Sequence, residues 1–488
     1  MTTARTYLGL DLGTSGLRGL LTDEEGRAIG SAEAHYAVDR PHPGWSEQNP
    51  ADWIAACREV FAALRSAHPS ALGALGGIGV SGHMHGATLV DGAGDPLRPC
   101  ILWNDTRSHE QAAAMDADPA FRAISANIVF PGFTAPKLAW VASHESEVFA
   151  KTARALLPKD YLLHWLTGDY VGDVSDASGT GWLDTGDRTW SDTLLQKGGM
   201  RRDQMPELVE GASPAGELRT ALAEEFEIKR AAVVAGGAAD NAAAACGAGA
   251  LGEGDGFVSL GTSGVLLAAR DRFAPAPETA VHTFCHAVPG RWYQMGVILA
   301  ATDSLNWLAR QVGQTPQALS EALGPTVGRP GSVRFLPYLS GERTPHNDSL
   351  IRGALVGLDV ADGPDDLTRA VMEGVAFALR DCLEALSATG LRLNRIAGVG
   401  GGVRSPYWVE LCATVLGLEI DLPEQGEFGA AMGAARLARC AATGADPDNV
   451  MTKPATARSV APRADLTDAY DDAYQRWRAI YPQLKALP

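Results

Sequence analysis

The pentapeptide Leu-Gly-Thr-Ser-Gly occurs twice in this chain of 488 residues, at 12–16 and at 260–264, about half a chain length apart. Each copy lies between short apolar runs, 7–10 and 17–21 around the first, 257–260 and 265–269 around the second. Apolar runs joined by glycine and small hydroxyl residues read as strand, tight turn and return strand. The glycines permit a sharp turn and close approach of another group. In the first turn, backbone N–H groups and the Thr14 and Ser15 hydroxyls face one space, a cradle for an anion such as phosphate. Asp11 stands at its lip, where a carboxylate suits a divalent cation held through water. An ordinary hairpin turn accounts for one such loop. Two copies, one per half, point to two related domains, 1–249 and 250–488, each presenting a phosphate loop to a shared central cleft.

Charge and composition narrow what enters that cleft. The net charge is −17 with no basic block, so nucleic acid and membrane surfaces are poor partners. An anion site must then be local, made of backbone amides, a few cations and a metal. With 20% charged and 46% hydrophobic residues the chain reads as globular, long enough for two or three cores. Its seven cysteines are scattered, odd in number and without a CxxC pair, which suits free thiols in a reducing cytoplasm. Asp11 and Arg18 interrupt the N-terminal apolar run, so a signal-peptide layout is missing, and no 18-residue apolar stretch occurs. The expected location is cytoplasmic.

Residues 5–35 pattern as a three-stranded meander, and Asn49-Pro50 opens a helix to about residue 66. A buried strand at 76–81 delivers Gly-His-Met-His-Gly at 82–86. A short strand at 99–103 ends in Trp-Asn-Asp-Thr-Arg. Strands that end in polar, glycine-bearing loops place those loops at one sheet edge, where α/β proteins bind ligands. Residues 108–230 are mainly helical. A strand at 232–235 runs into Gly-Gly-Ala-Ala-Asp-Asn at 236–241, then an alanine-rich helix at 242–250 and a hinge at 251–256. The second half restarts the pattern. It adds a helix at 364–388, a strand at 395–399, the loop Gly-Gly-Gly-Val-Arg-Ser at 400–405 and a helix to about 416. Tyr470, Tyr474, Trp477, Tyr481 and Leu484 share one face of a terminal helix that caps the second half. The proline-bearing stretch 453–463 reads as a surface loop.

Asp240 is the leading catalytic candidate. It arrives at a helix start, where the ionised carboxylate is favoured, and an acceptor-only carboxylate beside a substrate hydroxyl makes a general base. The competing reading is a helix cap. His83 and His85 lack a third metal ligand spaced beside them, so Met84 and His85 are read as lining a sugar pocket. His282 and His286, in a segment that prefers strand, are read as structural. The three glycines at 400–402 permit close approach to adenine or ribose. No P-loop occurs, and the stretch 398–403 around these glycines does not satisfy the dinucleotide fingerprint. Arg18 suits either phosphate neutralisation or a solvated strand face. Trp45, Trp53, Trp103 and Trp140 are read as core.

Over nearly its full length the chain resembles the FGGY carbohydrate kinases. The resemblance rests on Asp-Leu-Gly-Thr-Ser-Gly at 11–16, His-Met-His-Gly-Ala-Thr-Leu at 83–89 and the stretch 131–140. It extends to Gly-Gly-Ala-Ala-Asp-Asn at 236–241, the stretch 335–347 and the glycines at 400–402. It implies an α/β, actin-like ATPase fold with two ribonuclease-H-like domains around a cleft. It implies ATP and Mg²⁺, and a homodimer as the state common in the family. By matching motif, Asp240 is the base and Asp11 supports Mg²⁺. Met84, His85, Asn104, Asp105 and Asn241 join Asp240 around the sugar. Thr14, Ser15, Arg18, Gly261, Thr262, Gly401 and Gly402 hold the nucleotide. The motifs are most like those of members that convert D-xylulose to D-xylulose 5-phosphate; ribulose, glycerol and xylitol are the alternative substrates. Two departures stand out: His83 occupies a position where glutamine is usual, and the loop at 236–241 has one glycine fewer than the common form. A nucleotide-gated scaffold is the competing reading from outside the enzyme class.

Overall fold

The computed structural model of the protein describes residues 5–424 and 429–487. Residues 1–4 of the N-terminal stretch read above lie outside them. Both copies of the pentapeptide turn between antiparallel strands. Thr6–Leu12 pairs with Gly16–Thr22, and that strand with Ala28–His35. Gly256–Leu260 pairs with Gly264–Arg270, and that strand with Trp292–Ile298. Beside each first strand lies a parallel one, Leu75–Gly82 or Arg395–Val399. Next come a second parallel strand, Val233–Ala235 or Glu419–Pro423, and an antiparallel edge strand, Pro214–Glu217 or Thr456–Val460. Ala238–Ala239 adds to the first sheet and His282–Cys285 to the second, making seven strands in each. The repeated motif thus marks a repeated sheet topology, that of the expected actin-like fold.

The local rules hold where they were strongest. Asn49 caps the helix Pro50–Ala67 by accepting from the Ala51 N–H, with Pro50 in the first turn. The helix Thr467–Arg478 buries Tyr470, Tyr474 and Trp477 against the second core, and the Trp477 indole N–H donates to the Phe335 carbonyl at 2.7 Å, whereas Tyr481 and Leu484, expected on the same helix, lie half-buried on a separate short one, Ile480–Lys485. All seven cysteines are buried and unpaired. No described helix is long and apolar enough to cross a membrane.

Two further expectations are corrected. The stretch 453–463 contains the strand Thr456–Val460 at the edge of the second sheet. Pro454 and Pro462 flank it, and an edge strand needs partners on one side only. The strand at 99–103 shrinks to Cys100–Ile101, which pairs with Glu47–Gln48 outside both large sheets.

The helix Gly429–Thr443 comes from the second half of the chain but lies on the first sheet. A Cβ at Gly9 would sit 1.9 Å from the Ala431 carbonyl oxygen, and one at Gly79 would sit 2.0 Å from that of Ala434. The same helix meets the helix Asp240–Ala248: a Cβ at Gly433 would lie 1.8 Å from the Ala243 carbonyl oxygen. Backbone packs on backbone at these points, so any side chain must push the helix away. Gly79→Val is expected to destabilise the protein by about 2 kcal/mol or more, the upper part of the overpacking range. Gly92→Ala, whose Cβ would enter open space, is expected to stay within about 0.5 kcal/mol. Urea unfolding of both variants measures the difference.

Candidate active site

Three strand ends line up at one edge of the first sheet. Asp11 is the register partner of Ser81, and Ser81 of Ala238. Asp240 follows two residues later as the first residue of the helix Asp240–Ala248. Its Oδ1 accepts from the Asn241 N–H at 2.6 Å and from Asn241 Nδ2 at 2.9 Å. Its Oδ2 receives no hydrogen bond from the described residues and stays available to a ligand hydroxyl. Burial raises the Asp240 pKa to about 6; the Asn241 bonds oppose this and the charge of Asp11 adds to it. Burial therefore outweighs the helix start, which by itself favours the ionised form. Asp11 is raised for the same first reason, against a hydrogen bond from Ser81 Oγ at 3.2 Å.

A buried ion cluster holds the loop that presents Asp240. Lys159 Nζ donates to the Gly236 carbonyl at 3.1 Å and pairs with Asp160 at 2.6 Å and Asp173 at 3.1 Å. Burial alone would lower the pKa of this ammonium, but Asp160, Asp173 and Asp176 raise it, so it stays charged. Ser175 Oγ donates to Asp173 and accepts from the Ala239 N–H at 3.2 Å. The segment 173–180 serves a second loop as well: the Gly179 carbonyl lies 2.7 Å from His85 Nδ1. Sequence reasoning passed over this segment and Lys159, because their work is to hold backbone atoms that carry no pattern.

The loop after Leu75–Gly82 brings the expected sugar contacts beside Asp240. His85 adopts a left-handed backbone, φ 71°, and stacks on Phe133 at 4.8 Å. Burial is the main cause that pushes its pKa down to about 3, so the ring is neutral. With Nδ1–H donated to Gly179, Nε2 is an acceptor for a hydroxyl. Lys137 Nζ fixes the turn by donating to the His85 carbonyl at 2.8 Å and to the Gly132 carbonyl at 2.6 Å. Met84 is buried and its sulfur accepts from the Tyr293 hydroxyl at 3.8 Å, so a residue of the second half meets this loop. His83 is buried against Trp53, with neither ring nitrogen hydrogen-bonded among the described residues.

The first phosphate loop is tied from its flanks. The Tyr36 hydroxyl donates to the Gly13 carbonyl at 2.6 Å, and Gln48 Nε2 to that of Thr14 at 2.6 Å. Ser15 is exposed. Arg18 lies opposite Asp11 in the strand register and pairs with Glu33 at 3.1 Å. Trp103, expected in the core, is 39% exposed and donates its indole N–H to Thr14 Oγ1 at 3.0 Å. It is a neighbour of the loop that its residue type alone did not disclose. Asp105 is corrected as a sugar contact. It is buried, and its two oxygens take four hydrogen bonds, from the Ser46 N–H and from the Arg107 N–H, Nε and Nη2. Asn104 is exposed and its side chain bonds to no described residue.

A cavity of about 770 Å³ is linked to the second pentapeptide loop through its lining residue Thr302, and it falls within the roughly 300–1,000 Å³ of small-molecule sites. The Gly261 carbonyl accepts from the Thr302 N–H at 2.9 Å and hydroxyl at 2.8 Å, which docks the loop on the helix Thr302–Val312. A Cβ at Gly402 would lie 2.7 Å from the Leu260 Cβ, so the triple-glycine turn rests on the base of that loop. Gly401 and Gly402 line the cavity together with Thr302, Asn306 and Gln317. Those three polar residues sit on helices without a motif and went unseen in the sequence.

The donor set suits a magnesium ion. No group of three or more His, Cys, Asp or Glu side chains that could by itself hold a metal ion is found among the described residues. Magnesium is usually held by one or two carboxylates together with substrate phosphates and water. Asp11, with Oδ2 open beside Asp240 and the first phosphate loop, offers such a carboxylate.

The chain matches the model of the FGGY family of carbohydrate kinases, N-terminal domain, over residues 6–247 and the C-terminal domain over 256–442. It is 42% identical over 487 residues to a xylulose kinase of Escherichia coli strain K12, covering 99% of both chains. It is 46% identical over 437 residues to a xylulose kinase of Klebsiella pneumoniae, covering 89% of this chain and 90% of that one. Its fold superposes with a TM-score of 0.97 on the crystal structure of a Brucella ovis protein described as a "xyloylose kinase". That protein is 58% identical, with 99% of this chain and 100% of the other covered.

Gly401→Leu separates the cavity from the rest of the site. A Cβ there meets nothing within 4 Å, so the new side chain fills the cavity mouth rather than the protein. Calorimetric titration with MgADP is expected to show about a tenfold weaker Kd, near 1.4 kcal/mol, with an unchanged melting temperature.

Proposed function

From this chain's place in the FGGY family of carbohydrate kinases, to which it belongs along both halves, we propose that it transfers the γ-phosphoryl group of ATP to the C5 hydroxyl of D-xylulose. One observation carries the proposal. Asp240 has one carboxylate oxygen pinned by Asn241 and the other unclaimed, between Asp11 and the loop of Met84 and His85. The unclaimed oxygen accepts the proton of the C5 hydroxyl as that hydroxyl attacks phosphorus in line. The His85 Nε2 acceptor and the Asn241 side chain orient the sugar. The amides of both phosphate loops, with the Thr14 and Thr262 hydroxyls, hold the phosphate chain, and the cavity beside Gly401 and Gly402 takes the nucleoside. A magnesium ion at Asp11 neutralises phosphate charge when bound. Such chemistry is chiefly positioning and electrostatics. Enclosure of the reacting groups between the two halves keeps water from replacing the sugar.

Turnover of MgATP is measured against D-xylulose, D-ribulose, L-ribulose, xylitol, D-fructose and glycerol, with a control lacking sugar. D-xylulose is expected to lead in kcat/KM by about tenfold or more. Equal ADP formation with and without sugar would replace the kinase by a nucleotide-hydrolysing scaffold.

Asp240→Asn is expected to lower kcat by about 10²–10⁴ with the fold retained. The base works only when ionised, and burial sets its pKa near 6 rather than in the usual carboxylate range. The kcat/KM of the wild type should therefore be level above about pH 7 and fall about tenfold per unit below pH 6. A profile still level at pH 5 rules Asp240 out as the base.

A further inference from the structure

The mechanism above leaves Arg343 unused. This residue reaches from the second half of the chain into aromatic rings of the first. Its guanidinium carbon lies 4.3 Å from the centre of the Phe130 ring, and Nη1 is 3.4 Å from His282 Nε2. His282 stacks on Phe284 at 5.2 Å and tilts against Phe133, the ring that carries His85 on its face. Two rings, His282 and Phe133, thus link Arg343 to His85, the expected sugar contact. Its charge reaches both histidines: behind the larger effect of burial, it helps to hold His85 and His282 below the usual imidazole range.

A cation in this position calls for acceptors, and the protein supplies few. Arg343 makes no salt bridge among the described residues. The adjacent Glu342 directs Oε1 to the N–H groups of Leu299, at 3.3 Å, and of Arg343 itself, at 2.7 Å. Burial raises Glu342 to about 8, so it is mostly uncharged at neutral pH. Arg343 falls only to about 10 and keeps its proton. Of five N–H donors in a rigid fork, one approaches His282 and the guanidinium face covers Phe130. The residue is partly exposed. None of its nitrogens is a buried atom without a partner, so the unspent donors are open to a ligand.

We propose that Arg343 donates to the end of the sugar remote from the transferred phosphoryl group, the C1 hydroxyl and C2 carbonyl oxygens of a 2-ketose. The inference rests on the reading that Asp240 activates the C5 hydroxyl. The second half of the chain then reads the keto end of the substrate while the first half reads the reacting end. Arg343 is a specificity-determining residue, and it distinguishes a ketose from a polyol that offers no carbonyl.

Wild type, R343K and R343M are assayed with D-xylulose, its analogue lacking the C1 hydroxyl, and xylitol, with KM for ATP and the Kd for MgADP measured alongside. Wild type should favour D-xylulose over the other two. R343M should raise KM for D-xylulose about tenfold or more, leave both nucleotide constants unchanged and erase the preference. R343K, with the same charge but no fork, should lose part of the preference, and it decides the matter if R343M does not fold. Unchanged discrimination in R343K and R343M overturns the inference, as does an equal loss on all three sugars accompanied by weaker nucleotide binding. A wild type that does not turn over D-xylulose overturns both this inference and the reading beneath it. One that does, with selectivity intact in the variants, overturns this inference alone.

Discussion

The contact on which the structure depends is made by backbone, not by side chains. The helix Gly429–Thr443 lies against Gly9 and Gly79 on the two central strands of the first sheet and against Ala243 in the helix that begins at Asp240. A single methyl group at these glycines would overlap a carbonyl oxygen. The approach is possible because alanine and glycine line both surfaces, and it fixes the helix carrying Asp240, the proposed base, relative to the strand carrying Asp11. The close packing that rules out a side chain also holds the two carboxylates in one place. Catalytic geometry in this fold therefore starts some distance from the catalytic atoms.

Electrostatics completes what packing begins. Three buried lysine and arginine systems surround the site, each with a different balance. Lys159 is outnumbered by aspartates, stays charged and clamps the Gly236 carbonyl. Arg107 is ion-paired with Asp105 and Glu47 and lies over the Trp45 ring. Lys137 sits against carbonyl groups alone, and burial pulls it down to about 7. The first two are framework, and the Asp105 carboxylate belongs to that framework. Residue type would not separate Asp105 from Asp240. The separation lies in the number of N–H groups that reach each carboxylate.

Much of the architecture was legible because it is written in local pattern. The repeated pentapeptide predicted two strand–turn–strand units, and the sheets carry them at equivalent positions. The strands at 76–81 and 232–235, the capped helix at Pro50 and the aromatic face of the terminal helix followed from periodicity and capping chemistry. What stayed hidden depends on distant partners. Trp103 looked like core, but it is tethered by one hydrogen bond to Thr14, 89 residues away. The polar lining at Thr302, Asn306 and Gln317 comes from helices whose sequences show only an amphipathic stripe. The strand at Thr456–Val460 was masked by its flanking prolines. The helix Gly429–Thr443 announced itself as a helix, but nothing in it named the sheet it covers.

That placement has a consequence for how the chain is made. The first sheet has all its strands once residue 239 has been added, but the face at Gly9 and Gly79 stays uncovered until residue 443. At ordinary rates of synthesis, roughly 200 further residues take about 10–40 s. Throughout that interval the nascent first half carries an open, small-residue surface on its most buried strands. The earliest-made sheet is thus closed by a helix made roughly 200 residues later, so the first half is complete only once most of the second sheet has been made.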